Sequence, residues 1–400
     1  MASLIRLFEW RSLTLYAILL ALLVLGSKLV FVALGLLQGN EALRYSDFFV
    51  FWSAAQIMAQ DGAIASFDQV RLNFELGNIF DLQALQATGL NTDQFWLYPP
   101  TILPWIAPLS LTSPAVGLAF YYVISLAVWV FVVAKYFPKQ SELSIFPVLF
   151  APIVFVNYSF EQNGIFSAAL LIAIISILRF RGSAIWLGML SALLLFKPTL
   201  GLLIPIAFLL ERRWDAFAWA TLFCTAYLGA VTAIWGIEYW NAFFAKHAAH
   251  QSLIEAGLFA QYAISGYGFL QSLGISHNPA LGLHAALAIL MLVAFFIIWR
   301  RGDWALKAAS FLIIAPLLSS YANIYDFVTS AFAIGLLYPI FQKWRWGSVV
   351  LGLYWIAPMA FRPDVNVLGA LEMPILNIAM VGLLTWIAMT QYQASSSASQ

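Results

Sequence analysis

"LTLYAILLALLVLGSKLVFVALGLL", residues 13–37, runs for 25 residues with a single charged side chain, Lys28. A hydrocarbon core about 30 Å thick is crossed by roughly 20 apolar residues rising about 1.5 Å each. The stretch therefore reads as a membrane-spanning helix. That reading decides the fold, because comparable runs recur to the end of the chain. Spans are expected near 13–37, 113–135, 143–159, 163–179, 183–196, 199–211, 215–235, 281–299, 304–320, 325–341, 347–361 and 372–391. Composition agrees: of 400 residues, 63% are hydrophobic and 9% charged, against about 25% charged in soluble domains. The expectation is an all-α polytopic membrane protein, a bundle of about 12 transmembrane helices.

The segment before the first run, "MASLIRLFEW" (1–10), places a basic residue ahead of apolar sequence, as a signal peptide does. The run is long and lacks a small-residue cleavage site, so a retained first helix is expected. One domain over 1–391 accounts for the chain, with 392–400 as a short disordered tail. Cys224 is the sole cysteine, which excludes an internal disulfide or a multi-cysteine metal site. A net charge of +1 gives no footprint for nucleic acid.

With the N-terminus inside, 13 of the 19 Lys and Arg fall on the cytoplasmic side, among them Arg179, Arg181, Arg212, Arg213, Arg300 and Arg301. That satisfies the positive-inside rule and places the C-terminus inside as well. The acids run the other way, 13 of 18 outside. Acids have little say in topology, so a working outer face is the expectation. Both long connections, 38–112 and 236–280, are external. The first contains "VRLNFELGNIFDLQAL" (70–85), suited to amphipathic helices lying on the membrane surface.

That connection also holds "YSDFFVFWSAAQIMAQDG" (45–62), aromatics crowded around Asp47. Asp47 can cap the helix that follows it. It can equally serve as a general base at the membrane boundary, taking a proton from a hydroxyl nucleophile. In "NYSFEQNGIF" (157–166), Glu161, Gln162 and Asn163 offer partners for sugar hydroxyls, or form an Asn-Gly turn. "FKP" (196–198) interrupts the fifth and sixth spans, so a broken helix is expected there, and such backbone survives at membrane depth only inside protein or beside a wet cavity. Its Lys197 can bind phosphate or snorkel to water.

The second outer connection carries His247 and His250 at i and i+3, facing either a phosphate or a metal. No H-E-x-x-H spacing supports zinc. "SSYANIYDFV" (319–328) places Tyr325 and Asp326 at an outer helix junction. Arg362, in "FRPDVN" (361–366), can contact a phosphate bidentately or pair with Asp364 or Asp326. No Walker loop and no G-x-S-x-G elbow is present.

Taken in order, "YSDFFVFWSAAQIMAQDGAIASFD" (45–68), "LYPPTILPWIAPLSL" (97–111), "EQNGIFSAALL" (161–171), "LLFKPTLGLLIP" (194–205), "LIEAGL" (253–258) with "LQSLGI" (270–275), and "APLLSSYANIYDFV" (315–328) resemble glycosyltransferase family 87, of the GT-C superfamily. The resemblance covers nearly the whole chain. It implies a GT-C-like bundle with amphipathic helices in the first outer loop, and a hexosyltransferase that moves one mannose-like sugar, with inversion, from a polyprenyl-phosphate donor to a lipid or glycan hydroxyl. By position, Asp47 matches the acid proposed as catalytic base, Lys197 the basic residue of a K-P-Q motif, and Asp326 the acid of a later motif. Three departures stand out: Glu161 where the family reads Gly, Thr199 where it reads Gln, and no histidine within "QYAISGYGF" (261–269). They imply a changed sugar or acceptor, or weaker activity.

The expected mechanism has Lys197, Arg362 and either His247 or His250 neutralising the donor phosphate. Asp47 deprotonates the acceptor, while Glu161, Gln162, Asn163, Tyr325 and Asp326 contact sugar or acceptor. No metal and no cofactor is expected, since cationic side chains can stabilise the leaving phosphate. The expected setting is a bacterial inner membrane, multi-pass among membrane lipids, with the site facing the periplasm. Two other readings use the same sequence. A transporter or flippase would show internal repeats and midplane acids. An outer-face polysaccharide ligase would take a diphosphate-linked glycan.

Overall fold

The computed structural model describes residues 2–39, 43–87, 95–138, 144–255, 263–360 and 367–397. These residues form helices, and the one β contact among them is an isolated antiparallel bridge between Ala263 and Asn323. The principal helices are α1 (Trp10–Gln38), α2 (Phe48–Asp61), α3 (Pro114–Tyr136), α4 (Pro152–Phe160), α5 (Gly164–Arg179), α6 (Ala184–Leu193), α7 (Trp214–Trp235), α8 (Ile237–Glu255), α9 (His277–Arg301), α10 (Trp304–Leu317), α11 (Thr329–Phe341) and α12 (Val367–Ser397).

Among the described residues, six helices are long and apolar enough to cross a membrane: Trp10–Gln38, Pro114–Tyr136, Trp214–Trp235, His277–Arg301, Ile324–Phe341 and Met373–Gln391. The other expected positions hold shorter apolar helices of 10–17 residues. Proline accounts for part of the shortening. Phe146–Leu149 ends before Pro152 opens α4, and Pro198 follows the break after Phe196. α12 continues to Ser397, into the stretch read as a tail. Arg362 lies outside the described residues.

The helices form a centre and a periphery. α5, α10 and α11 are buried on nearly every side, as helices apolar all round must be. α7 buries only Ala216 and Val231 and presents Leu222 and Ile234 outward, a surface for lipid. α6 and α7 approach closely through Gly188, where an added Cβ would lie 2.6 Å from the Trp219 carbonyl carbon. Small residues permit such approach between helices in lipid.

Pro316 sits inside α10 and cannot donate to the carbonyl of Leu312. The Thr329 hydroxyl, at the start of α11, donates to that carbonyl at 2.7 Å. A polar group freed by proline is thus satisfied from the neighbouring helix.

Phe48 to Ala55 of α2 are all buried. Helix Gln69–Gly77 begins at Asp68, whose carboxylate accepts from the Val70 and Arg71 amides. It buries Leu72 and Leu76 while Val70 and Phe74 stay exposed.

Candidate functional site

Asp47 precedes the first turn of α2, and its amide donates to the Phe160 carbonyl at 3.3 Å, tying it to the end of α4. Its side chain makes no capping hydrogen bond. The carboxylate instead accepts from Gln162 Nε2 at 2.8 Å. Burial pushes its pKa up to about 6; the Gln162 hydrogen bond opposes that, the Glu161 charge adds to it, and Lys197 opposes it. Such a carboxyl sits near the range in which a general base works.

Gln162 is held by the turn between α4 and α5. Glu161 closes α4 in the left-handed region, at φ 55°, an unusual conformation for a residue with a Cβ. Its carboxylate is taken up by Lys28 Nζ at 3.0 Å, by the Ser46 hydroxyl and by the Tyr122 phenol. Glu161 therefore stands behind the site, joined to α1 and α3. Gln162 spends its amide nitrogen on Asp47, while its Oε1 accepts from the Tyr98 phenol and the Asn163 amide, each at 3.3 Å. The Tyr121 phenol donates to its backbone carbonyl at 2.8 Å. Asn163 donates to the Tyr98 hydroxyl at 3.2 Å, and its own Oδ1 is buried without a partner. Gly164 serves close approach: an added Cβ would meet the Tyr325 carbonyl oxygen at 2.0 Å.

Lys197 lies in the break between two short 3₁₀ turns, Leu194–Phe196 and Pro198–Gly201. Its side chain does not run to water. Nζ is 2.5 Å from Asp326 Oδ1 and 4.6 Å from the centre of the Tyr325 ring. Asp326 Oδ2 accepts from the Asn323 amide at 3.0 Å, in a reciprocal cap that fixes the turn Ile324–Val328. Both carboxylate oxygens are thus engaged, and Asp326 holds the lysine in place.

Two layers result. Gln162, Tyr325 and Asp326 are buried, whereas Asp47, Tyr98, Asn163 and Lys197 each keep part of their surface open. The open layer supplies a carboxylate, a phenol and an ammonium, and the unused amide oxygen of Asn163 lies buried beneath it. Burial and the Asp47 charge push the Tyr98 phenol well above its ordinary value, so it stays neutral. Sequence reasoning passed over Tyr98, and the Lys28, Ser46 and Tyr122 partners of Glu161. The available signal was "LYPP" (97–100), where two prolines hold an aromatic residue in extended backbone.

His247 and His250 belong to α8. His247 Nδ1 lies 3.1 Å from the Phe243 carbonyl oxygen, and the His250 ring packs 4.8 Å from that of Phe95. Burial lowers both pKa values; the His247 carbonyl contact works against this, while the charges of His247 and Lys246 add to it at His250. The segment 95–98 lies between α8 and the Asp47 cluster. Trp96 Nε1 donates to the Tyr239 hydroxyl at 2.8 Å, which donates to the Tyr98 carbonyl at 3.3 Å. Among the described residues no group of three His, Cys, Asp or Glu could hold a metal ion.

No curated protein and no solved structure matches the chain. The sequence profile described as glycosyltransferase family 87 matches residues 96–320, a stretch that includes Tyr98, Gln162, Asn163 and Lys197.

Proposed function

Because the chain belongs to glycosyltransferase family 87, and is a membrane glycosyltransferase, we propose that it moves a single mannose-like sugar from a polyprenyl phosphate to a hydroxyl of a lipid or glycan acceptor. In this reading the protein lies in a bacterial inner membrane with about 12 spans. Both termini are cytoplasmic and the site faces the periplasm.

Asp47 is the base. It takes the proton of the acceptor hydroxyl as the oxygen attacks the anomeric carbon, and the sugar–phosphate bond breaks on the opposite face with inversion. Phosphate leaves without protonation, so one carboxylate suffices where glycoside hydrolysis needs two. Lys197 stabilises the departing charge. An ammonium has three donors: one is held by Asp326 and another side faces the Tyr325 ring, leaving one for phosphate. Tyr98 and Asn163 hold sugar hydroxyls, and Gln162 orients Asp47. Glu161 acts from behind through Lys28, and Arg362 remains a second candidate for phosphate. His247 and His250, across the 95–98 segment, would contact the donor further from the reacting carbon.

The observation that carries this reading is that Asp47, free of any capping bond, is held by Gln162 within the field of Lys197. The test uses the full chain in nanodiscs with radiolabelled polyprenyl-phosphate mannose and a lipid extract as acceptor. Asp47→Asn is expected to lower transfer by roughly 10²–10⁴-fold, the usual worth of a general base. Equal transfer by both proteins would remove Asp47 from the mechanism.

A further inference from the structure

α5 starts at the candidate site and ends, about 24 Å away at roughly 1.5 Å per residue, beside a second polar feature that the transfer reaction does not use. The turns 181–184 and 212–215 enclose an open depression of about 600 Å³, lined by Arg181, Ser183, Ala184, Arg212, Arg213 and Asp215. α6 begins there with no side-chain cap on its first amides, while at the start of α7 the Asp215 carboxylate accepts from the Asp215 and Ala216 amides. The start of α6 brings partial positive charge to the hollow.

The arginines make it a built site. Arg213 is only 6% exposed. Its Nε and Nη2 bond Asp215 at 2.8 and 2.9 Å, and Nη2 also bonds the Gly182 carbonyl at 2.8 Å. Its Nη1 is buried with no acceptor. Asp215 is thereby neutralised, and the exposed Arg181 and Arg212 leave the depression with a surplus of two positive charges. Around it Phe180, Trp186 and Trp214 are 70%, 56% and 64% exposed, the kind of aromatic fringe found where a membrane meets water.

We infer that this depression binds a phosphate anion, by the guanidinium groups of Arg181 and Arg212 over the start of α6, with Arg213 as its floor. The phosphate can come from an anionic phospholipid headgroup or from free phosphate, and the aromatic fringe favours the headgroup.

Arg181 and Arg212 both adopt left-handed backbone, φ 50° and 54°, which glycine takes without strain. The double variant Arg181→Gly/Arg212→Gly therefore removes both guanidiniums and relieves the turns, at the loss of one long hydrogen bond from Arg181 Nη2 to the Glu211 carbonyl at 3.4 Å. Native mass spectrometry of the full chain would count retained phosphatidylglycerol against phosphatidylcholine, and phosphorus NMR of the delipidated protein would titrate inorganic phosphate. The expected result is preferential retention of phosphatidylglycerol, weakened at least roughly tenfold in a variant whose Tm is unchanged or higher. Saturable inorganic phosphate binding lost in the variant, without lipid preference, would keep the site and assign it to free phosphate. Equal retention of the two lipids together with no phosphate binding, or full retention of both by the variant, would overturn it.

Discussion

Asp47 is protonated up to about pH 6 because burial outweighs the Gln162 hydrogen bond and the Lys197 charge. As the proposed base, Asp47 must be ionised to accept a proton, so transfer should climb with pH through about 6 and level off above it. Gln162 holds the carboxylate's pKa down. Gln162→Leu should therefore carry the acid limb of kcat/KM to higher pH, and a pH series on both proteins reads it directly; an unmoved limb would mean that Gln162 does not tune the base. Some of this was legible in the residues alone: Asp47 amid aromatics, and Lys197 beside a proline. That Asp47 makes no capping bond was not, because the partner that takes its carboxylate lies 115 residues away. Tyr98 and Lys28 escaped for the same reason, meeting their partners across 64 and 133 positions. Local sequence states what a side chain can do but not which distant one it meets.

Among the elements, the interruptions carry the information. The length of apolar runs located the six long helices, and "FKP" announced its break. Nothing in "APLLSS" (315–320) announced that Thr329 would answer the carbonyl freed by Pro316. Thr329→Val keeps the shape and removes the donor. It is expected to cost about 1 kcal/mol, the scale of a hydrogen bond between helices in lipid, measurable as a lower unfolding midpoint in mild detergent. No change would show that water or another group takes the hydroxyl's place. The turn at 161–164 had looked like an Asn-Gly bend. Its glycine is instead required by the Tyr325 carbonyl pressed against it, which brings α5 and the Asp326 turn together.

For the molecule as a whole, α1 is a peripheral helix with polar ties to the bundle near its start and toward its other end. Near its start, the Trp10 amide and indole bond Tyr338 and the Ser144 carbonyl at 2.9 and 2.8 Å. Toward its other end, Lys28 meets Glu161 at 3.0 Å. Lys28→Met leaves Glu161 as an unbalanced charge. Loss of one partner of a fully buried pair costs roughly 3–5 kcal/mol, and the 21% exposure of the Lys28 side chain reduces that, through solvent screening, to about 1–3. The fall should appear in thermal unfolding and be largely reversed by adding Glu161→Gln; if the single variant unfolds as wild type does, the pair does not tether α1.

The same pair constrains how the protein is made. Lys28 enters the bilayer when Glu161, 133 positions later, has yet to be synthesised. At roughly 5–20 residues per second, the unpaired ammonium waits on the order of 7–27 s for its carboxylate. During that interval it sits in the first helix at a cost of up to a few kcal/mol. That cost ends only when α4 brings Glu161 to Lys28.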